Sequence, residues 1–361
     1  MVRVEVVLPG RGYPVLIGTG VLDHLIEVMT PLPSAVAVVT DDTVGPLWGS
    51  VVMSRLELVG VRAFVVQVPS GEASKSWEGL RSVIEQLEAG RVDRRAAVVA
   101  LGGGVVGDLA GFAAAVWLRG LDWFQLPSTL LAMVDSSVGG KTAIDTPSTK
   151  NSVGAFWQPK AVIADVGFLR TLPDHQYRAA FAEIIKYAVT LDPELASLIR
   201  DGLDRLLARD PAALELVIAR SVMAKAEVVT VDERESGWRE VLNYGHTVGH
   251  ALEVASGYSM AHGEAVAAGM RAAAWLSARM ERCSTRVADA QNQLLVGFNL
   301  PGELPHLRLD DVMSAMVRDK KARAGIPKWV LLTGMGQAEV GQHVPEPLVR
   351  EAVGRLLEGG L

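Results

Sequence analysis

The segment AAVVALGGGVVGD, residues 96–108, combines a short apolar run with a cluster of glycines. The run predicts a buried strand, and the glycines predict a turn that leads into a helix starting near Asp108. Gly102, Gly104 and Gly107 formally satisfy the pattern G-x-G-x-x-G, in which backbone N–H groups at a helix N-terminus approach a pyrophosphate. On its own this pattern is equally consistent with a strand-to-helix turn that binds no ligand.

The acidic residues around this segment bear on the type of nucleotide site. In an ordinary dinucleotide-binding unit, an acid about 20 residues downstream, at the end of the next strand, binds the ribose. Here the acids at a predicted strand end are Asp41 and Asp42, which lie upstream. A nucleotide site at residues 102–108 would therefore differ from that of the common dehydrogenases.

The pattern of predicted secondary structure changes near Pro173. Before it, short β-branched runs alternate with helical stretches, and the predicted strands are Arg3–Leu8, Ala35–Thr40, Ala63–Val68, Ala96–Leu101, Trp123–Leu126 and Ala161–Asp165. This alternation predicts a parallel sheet covered on both faces. After it, segments rich in Ala, Leu, Glu and Arg predict helices at Gln176–Val189, Ala212–Val229, Thr247–Ser256 and Glu264–Met280. The predicted fold is α/β, with a parallel-sheet domain at 1–172 and an α-helical domain at 173–361.

The composition excludes several classes of protein. With 49% apolar and 21% charged residues among 361, the chain suits a globular fold and not a disordered or fibrous one. A formal net charge of −6 gives no overall positive field for nucleic acid. The single cysteine, Cys283, excludes an internal disulfide and fits a reducing cytoplasm. No apolar run reaches the about 18 residues of a membrane span, and residues 1–7 read as a first strand rather than a signal peptide.

A polar loop, PSGEASKS at residues 69–76, follows the predicted strand Ala63–Val68. Open α/β sheets bind ligands at this carboxyl edge of the strands. A structural alternative is favoured on spacing alone, namely a capping box in which Ser70 or Ser74 starts a helix.

A second polar region, PSTLLAMVDSSVGGKT at residues 127–142, concentrates hydroxyls, a carboxylate and a lysine between apolar elements. Its end resembles a P-loop, but Asp135 stands where that motif needs its first glycine, so the P-loop interpretation fails. Lys141 and Lys150 remain candidates for binding a phosphate or another oxyanion. A pair of solvated lysines is the simpler alternative.

The second domain carries a group of residues of metal-ligand type. His246 and His250 are spaced i, i+4, His262 opens the next predicted helix, and Glu183 lies on an earlier one. One glutamate with two histidines leaves coordination positions open, as a catalytic divalent site requires. Spacing favours His246 and His250 as the ligand pair, but Thr247 stands where the H-E-x-x-H motif has its acid. The residues alone leave open which histidines bind.

Taken in order, these segments resemble the 3-dehydroquinate synthases. The resemblance is carried by residues 102–112, 118–120, 134–142, 150–151, 154–156, 182–187, 242–250 and 262–264. It covers roughly residues 60 to 270, with a weaker tail at Asp319-Lys320-Lys321. It implies an N-terminal NAD-binding sheet domain, a C-terminal helical domain that binds zinc or cobalt, an active site in the cleft between them, and commonly a homodimer.

The resemblance also assigns individual residues. It implies NAD binding by Asp41, Ser70, Gly71, Glu72, Ala73, Ser74, Lys75, Gly104, Val105, Val106, Gly107, Asp108, Ser128, Thr129, Lys141, Lys150, Phe168, Leu169, Arg170 and Thr171. It implies the metal ligands Glu183, His246 and His262. It implies substrate or catalytic roles for Arg119, Asp135, Lys141, Asn151, Lys186, Lys225, Arg239, Asn243 and His250, with one lysine of Lys320 and Lys321 joining them. Arg119 is expected to reach the phosphate, in the family sometimes from the partner subunit.

The implied reaction converts 3-deoxy-D-arabino-heptulosonate 7-phosphate to 3-dehydroquinate and phosphate, with NAD recycled, in the shikimate pathway of aromatic amino acid biosynthesis. One alternative is a sister sugar phosphate cyclase of the aminodehydroquinate or valiolone type, because Ser128, Asp145 and Thr149 depart from the residues usual in the family. Another is a metal-dependent polyol dehydrogenase, in which the lysines would have no phosphate to bind. A catalytically inactive scaffold is disfavoured, since the implied ligands and bases are all present.

Overall fold

The computed structural model describes residues 1–147, 149–318 and 328–361. These residues form two compact units, one of Met1–Leu172 with Pro211–Thr230 and the other of Pro173–Asp210 with Val231–Leu361. The predicted division into 1–172 and 173–361 differs from this in the segment that begins at Pro211. That segment groups with the first unit because its side chains bind there: Glu215 accepts the backbone N–H of Thr19 at 2.9 Å.

The chain contains strands in both units. They are β1 (Val2–Val6), β2 (Tyr13–Gly18), β3 (Val36–Asp41), β4 (Ala63–Val68), β5 (Ala97–Gly102), β6 (Asp122–Pro127), β7 (Lys141–Thr146), β8 (Thr149–Phe156), β9 (Ala161–Asp165), β10 (Trp329–Gly334) and β11 (Gln337–Gln342). The first unit has a seven-stranded sheet of order β1-β2-β9-β6-β5-β3-β4. Its strands are parallel, as predicted, except that β1 pairs with β2 in the antiparallel sense.

The helices cover the sheet of the first unit and form most of the second. They are α1 (Leu25–Val28), α2 (Ser50–Leu58), α3 (Trp77–Ala89), α4 (Gly104–Val116), α5 (Asp174–Ala179), α6 (Phe181–Thr190), α7 (Pro193–Asp201), α8 (Leu203–Leu207), α9 (Pro211–Val231), α10 (His246–Ala255), α11 (His262–Arg279), α12 (Thr285–Gly297), α13 (Leu309–Arg318) and α14 (Glu346–Leu357). In the described ranges, no helix is both long and apolar enough to cross a membrane.

The degree of burial of each strand explains how well the sequence predicted it. Strand β5 is buried along its whole length, because a central parallel strand is covered on both faces and reads as a continuous apolar run. The hairpin of β7 and β8 was not predicted, since its strands are only partly buried and lack such a run. The predicted start of α4 near Asp108 was wrong: the helix begins at Gly104.

The sheet order brings several loops to one edge. Strand β3 lies between β4 and β5, so the chain reverses its direction across the sheet there. Ligands of open α/β sheets bind outside the carboxyl ends of the strands at such a reversal. The loops after β3, β4, β5, β6 and β9 all leave from this carboxyl edge.

In the second unit, glycines allow very close helix packing. A Cβ atom at Gly269 of α11 would lie 1.9 Å from the carbonyl oxygen of Gly245, just before α10. A Cβ atom at Gly263 would lie 2.0 Å from the carbonyl oxygen of Ala179 in α5. Side chains at these positions are therefore excluded, and α11 packs directly against the backbone that precedes α10 and against the end of α5.

Candidate cofactor and metal sites

Apart from Lys141 and Lys150, the residues assigned to NAD by resemblance lie at the carboxyl edge of the sheet. Asp41 ends β3, residues 70–75 follow β4, residues 104–108 follow β5, Ser128 and Thr129 follow β6, and residues 168–171 follow β9. These segments are separated by up to 130 positions in the chain. The parallel pairing of their strands nevertheless places them at one edge, where a dinucleotide could contact them together.

The N-terminus of α4 offers an anion site at this edge. Because α4 begins at Gly104, directly after the buried strand β5, its first backbone N–H groups have no partners within the helix. One glycine nearby is required by packing rather than by a ligand, because a Cβ atom at Gly102 would lie 2.6 Å from Cβ of Val106. A Cβ atom at Gly107 would lie 2.9 Å from Oε1 of Gln125. The glycine pattern thus has a structural cause and also leaves the helix N-terminus open.

A buried lysine organises the loop of residues 70–75, which we call the cofactor loop. Lys75 Nζ donates to Asp108 Oδ2 at 2.8 Å and lies 3.7 Å from Glu72 Oε1. Burial acts to lower the pKa of Lys75, but these carboxylates outweigh it and raise the pKa. Burial raises the pKa of Asp108 to about 6, against the opposing charge of Lys75. The cofactor loop is therefore fastened to the first turns of α4.

The capping box expected at Ser70 or Ser74 is not formed. The N-cap of α3 is Ser76, whose hydroxyl accepts the N–H of Gly79 at 3.2 Å. Ser74 instead donates its hydroxyl proton to the carbonyl of Pro69 at 2.6 Å. The helix starts later than expected because the cofactor loop first makes a short 3-10 turn over Glu72–Ser74.

Two further NAD-assigned segments have clear structural roles. Asp41 Oδ1 accepts the N–H groups of Thr43 and Val44, at 2.9 and 2.7 Å, and so shapes the loop after β3. In residues 168–171, the Phe168 ring packs 4.9 Å from that of Trp48, and Thr171 Oγ1 accepts the indole N–H of Trp48 at 3.1 Å. The side chains of Phe168 and Leu169 are buried in the protein core, so any contact of these two residues with a cofactor would involve their backbone.

The hairpin of β7 and β8 carries the lysines expected to bind phosphate. Lys141 begins β7 and is exposed, whereas Lys150, in β8, is half-buried. Asn151 follows Lys150, and its side-chain Oδ1 accepts a hydrogen bond from Lys75 Nζ. The hairpin and the cofactor loop are therefore joined directly within the first unit.

Asp135 and Lys225 form a second charged pair in the first unit. Lys225 of α9 donates to both the backbone carbonyl and Oδ1 of Asp135, each at 2.6 Å. Asp135 lies in a single π-helical turn, Ala132–Ser136, and such turns occur often at functional sites. Arg119 is exposed in the short 3-10 turn that follows α4, with a left-handed backbone (φ 69°), next to Leu118 (φ 48°).

The metal-type group in the second unit consists of Glu183, His246 and His262. One ligand atom from each lies within 4.8 Å of the others. The Nε2 atoms of His246 and His262 are 3.4 and 3.6 Å from Glu183 Oε1. His246 and His262 are the first residues of α10 and α11, so the close packing of these helices in the second unit brings them together.

The donor set fits a divalent cation of the zinc or cobalt type. His246 Nδ1 lies 3.1 Å from the Tyr244 carbonyl and His262 Nδ1 lies 3.4 Å from Glu253 Oε2. With Nδ1 engaged in this way, each ring presents Nε2 toward Glu183, which is the arrangement that orients metal-binding histidines. Burial acts to lower the pKa of His262, but Glu183 and Glu253 outweigh it and raise the pKa to about 10. The same carboxylates would stabilise a bound cation.

Two residues next to this group have distinct positions. Lys186, one turn after Glu183 on α6, contacts the Glu183 carboxylate and is 2% exposed. The ring of His250 lies 5.2 Å from that of His246 and 6.3 Å from that of His262. The helix-spaced pair of His246 and His250 is thus close together, but His250 is outside the group formed with Glu183.

The loop that carries Arg239 is organised by Asp232, which sequence reasoning missed. Its carboxylate accepts the backbone N–H groups of Ser236, Gly237 and Arg239 at 2.8–3.0 Å, and the Ser236 hydroxyl at 3.0 Å. Arg239 is buried and donates to the carbonyl of Glu233. Burial acts to raise the pKa of Asp232, but the donors outweigh it and hold the pKa well below its usual range.

The lowered pKa of Asp232 gives a stability prediction. Since the carboxylate is ionised more easily in the folded than in the unfolded chain, its contribution is complete above the unfolded pKa of about 4 and is lost as the pH falls through the folded pKa. Asp232→Asn should reduce the free energy of unfolding by about 2 kcal/mol at pH 7. Urea denaturation at pH 7 and pH 3 should show a smaller difference from wild type at pH 3, and an equal difference would contradict this.

The remaining residues assigned to the substrate are Asn243, which the structure describes, and Lys320 or Lys321. Asn243 Nδ2 donates to Glu235 Oε1 at 3.0 Å, within the same loop region as Arg239. Lys320 and Lys321 lie outside the described residues. The anchoring residues Asp232 and Glu253 had no sequence signal, because single acids without a spaced partner are indistinguishable from solvated surface charges.

Comparisons with known proteins agree with this arrangement. Family models described as 3-dehydroquinate synthase N-terminal and C-terminal match residues 65–179 and 180–322. The chain is 44% identical over 354 residues to the 3-dehydroquinate synthase of Nitrosomonas europaea, covering 98% of this chain and 96% of that protein.

Solved structures of two cyclases are similar over nearly the whole chain. A 2-deoxy-scyllo-inosose synthase complexed with carbaglucose-6-phosphate, NAD+ and Co2+ has a TM-score of 0.90 and 27% identity, with 99% of this chain and 100% of that chain covered. The 2-epi-5-epi-valiolone synthase of Streptomyces hygroscopicus subsp. jinggangensis 5008, with NAD+ and Zn2+ bound, has a TM-score of 0.88 and 27% identity, with 98% and 99% covered.

Proposed function

The chain belongs to the 3-dehydroquinate synthase family, and from this premise we propose that it converts 3-deoxy-D-arabino-heptulosonate 7-phosphate to 3-dehydroquinate and phosphate. It is a phosphate-eliminating lyase of the shikimate pathway. We propose further that it uses catalytic NAD with a zinc or cobalt ion and acts as a homodimer. The observation that carries the proposal is the combination of NAD-assigned loops at one sheet edge with the Glu183, His246 and His262 group.

The reaction is balanced without any external oxidant. A substrate alcohol loses a hydride and a proton and becomes a ketone, which acidifies the neighbouring C–H. That proton leaves, and phosphate departs with the electrons of its C–O bond. The ketone then regains a hydride and a proton, the ring opens, and an aldol addition closes the carbocycle. NAD supplies both the oxidation and the later reduction, so it is not consumed.

Residues of the first unit would hold the cofactor and the phosphate. The N-terminus of α4 would stabilise a pyrophosphate through the N–H groups of its first turn. Lys141, Lys150 and Arg119 supply local positive charge for the leaving phosphate in a chain whose net charge is −6. Lys225 holds Asp135 through two hydrogen bonds, which fixes the carboxylate proposed to contact the substrate.

Residues of the second unit would control the substrate hydroxyls. A divalent cation held by Glu183, His246 and His262 would lower the pKa of a chelated hydroxyl. Lys186 neutralises the buried charge of Glu183, and His250 lies close enough to His246 to handle protons beside the ligand group. Arg239 and Asn243 donate hydrogen bonds from the loop held by Asp232, and these donors suit substrate oxygens.

A sister cyclase is the second candidate, favoured by the high TM-scores of the two cyclase structures. Their identity to this chain is 27%, however, compared with 44% for the 3-dehydroquinate synthase of Nitrosomonas europaea. Product identification with the heptulosonate phosphate and with glucose 6-phosphate, the sugar phosphate whose carba analogue is bound in the first of these structures, as competing substrates separates the two candidates.

The stoichiometry of NAD tests the proposed reaction. Because oxidation and reduction occur in one visit to the active site, a trace of NAD should support many turnovers, with one phosphate released per product and no net rise in NADH absorbance. Phosphate release and absorbance are measured together on the metal-loaded protein. Accumulation of one NADH per substrate, or NADH formation from a simple polyol, would instead indicate a dehydrogenase.

A further inference from the structure

A β-bulge joins the hairpin of β7 and β8 to the cofactor loop. The pairing of the two strands shifts in register between Ile144 and Thr146, and Asp145 lies in this interruption. Its backbone N–H donates to the carbonyl of Lys75 at 2.7 Å. Bulges often occur beside active sites, where they redirect a side chain. Here the bulge turns the backbone of Asp145 toward the cofactor loop.

The carboxylate of Asp145 holds the backbone of Asn151. Asp145 Oδ1 accepts the N–H of Asn151 at 2.6 Å. Asn151 has a left-handed backbone, with φ of 52°, a conformation that asparagine adopts more readily than most other non-glycine residues. The hydrogen bond that the Asn151 N–H donates to Asp145 holds the backbone in this conformation.

The side chain of Asn151 is held from the other side by Lys75. Lys75 Nζ donates to Oδ1 of Asn151 and, at 2.8 Å, to Asp108. An ammonium group can only donate, so the amide of Asn151 must present its oxygen to Lys75. This orientation leaves the NH2 group of Asn151 as the donor that could bind a substrate hydroxyl.

We propose that Asp145 is a positioning residue for the substrate. It fixes the backbone of Asn151 so that the amide of that residue stays clamped against Lys75 with its NH2 group oriented for a substrate oxygen. The inference rests on the proposed function, which assigns Asn151 to the substrate and the cofactor loop to NAD. It adds a residue, Asp145, that touches neither ligand and acts through Asn151.

The test separates substrate binding from cofactor binding. Asp145→Ala should raise the KM for the heptulosonate phosphate about tenfold, the effect of losing one hydrogen bond to a charged group. The Kd for NAD, measured by fluorescence quenching without substrate, should change less than about threefold, since Lys75 keeps its bonds to Asp108. Asp145→Asn retains an acceptor oxygen and should restore the KM to within about threefold of wild type.

A double-mutant cycle shows whether Asp145 acts through Asn151. In an Asn151→Ala background, Asp145→Ala should add no further increase in KM, because the residue that it positions is already gone. Asp93→Ala is the matched control: Asp93 likewise accepts a backbone N–H, from Arg95 at 2.9 Å, but does so ahead of β5, at the amino end of the sheet. This variant should leave the KM unchanged.

Several outcomes would overturn the role of Asp145. An unchanged KM in Asp145→Ala, or equal increases with and without Asn151, would show that the carboxylate is only a structural element. If Asp145→Ala does not fold, Asp145→Ser, which removes the carboxylate but keeps a small polar side chain, takes its place. Absence of phosphate release by the wild type would instead contradict the proposed function and the inference with it.

Discussion

Removal of the divalent metal ion with a chelator is expected to abolish turnover, and added zinc or cobalt is expected to restore it. The reason is that Glu183, His246 and His262 place one carboxylate and two imidazoles within 4.8 Å, a ligand set that leaves positions open for substrate oxygens. Without the cation, the pKa of the reacting hydroxyl stays near that of an ordinary alcohol, and we expect phosphate release to fall at least about a hundredfold. Full activity of metal-free protein would contradict the metal assignment.

Substitution of the individual histidines identifies the ligand pair. His262→Ala should weaken zinc binding more than about a hundredfold, because loss of a residue that only hydrogen-bonds to a metal ligand already costs about 10–100-fold. His250→Ala should change the affinity far less, since His250 lies outside the group formed with Glu183. The measurement is a competitive titration of the purified protein with zinc and a chromophoric chelator. Equal losses would show that the helix-spaced pair, His246 and His250, binds the metal.

Lys141→Met is expected to reduce phosphate release by about two to three orders of magnitude, the usual effect of removing one positioned charge from a transition state. Methionine keeps most of the volume, and Lys141 is exposed at the start of β7, so the melting temperature should change little. Steady-state phosphate release and thermal denaturation are measured on the same preparation. A variant that keeps wild-type turnover would remove Lys141 from the proposed site.

Two other lysines provide the comparison for Lys141. Lys160→Met removes an exposed lysine that pairs with Asp122 at 3.2 Å, and it should leave both activity and stability unchanged. Lys186→Met should reduce activity and stability together, because Lys186 is buried against Glu183 and its loss removes the ammonium group that partners a buried carboxylate. A loss of stability in Lys141→Met as large as in Lys186→Met would indicate a structural role for Lys141.

Much of the fold was predictable because its central elements repeat a local pattern. The strands β3, β4, β5 and β9 were predicted to within a residue or so, since each is a short apolar run bounded by turn residues. The first half of the chain therefore indicated a parallel sheet. The antiparallel position of β1 and the hairpin of β7 and β8 were not predicted, because exposed or edge strands lack a continuous apolar run.

The position of α9 shows a different limit of sequence reasoning. The residues after Pro211 read as one more helix of the second half, yet they group with the first unit. The residues that fasten the helix there, Glu215 to Thr19 and Lys225 to Asp135, are polar contacts over long sequence separations. No local period encodes such contacts, so composition could not assign the helix to its unit.

The sequence by itself determined the chemistry available at the site. It contains the glycine turn after a buried strand, the lysines near residues 141–151, and a glutamate together with three histidines that lie close to one another in the chain. Tertiary structure decided which of these groups meet. His246 and His262 adjoin Glu183 because α10 and α11 pack closely through glycines in the second unit. Asp145 and Asp232 accept hydrogen bonds from backbone N–H groups, because strand register and loop closure bring those donors to their carboxylates. Residue type determines which chemistry a side chain can perform, whereas helix packing and strand register determine which other groups it contacts.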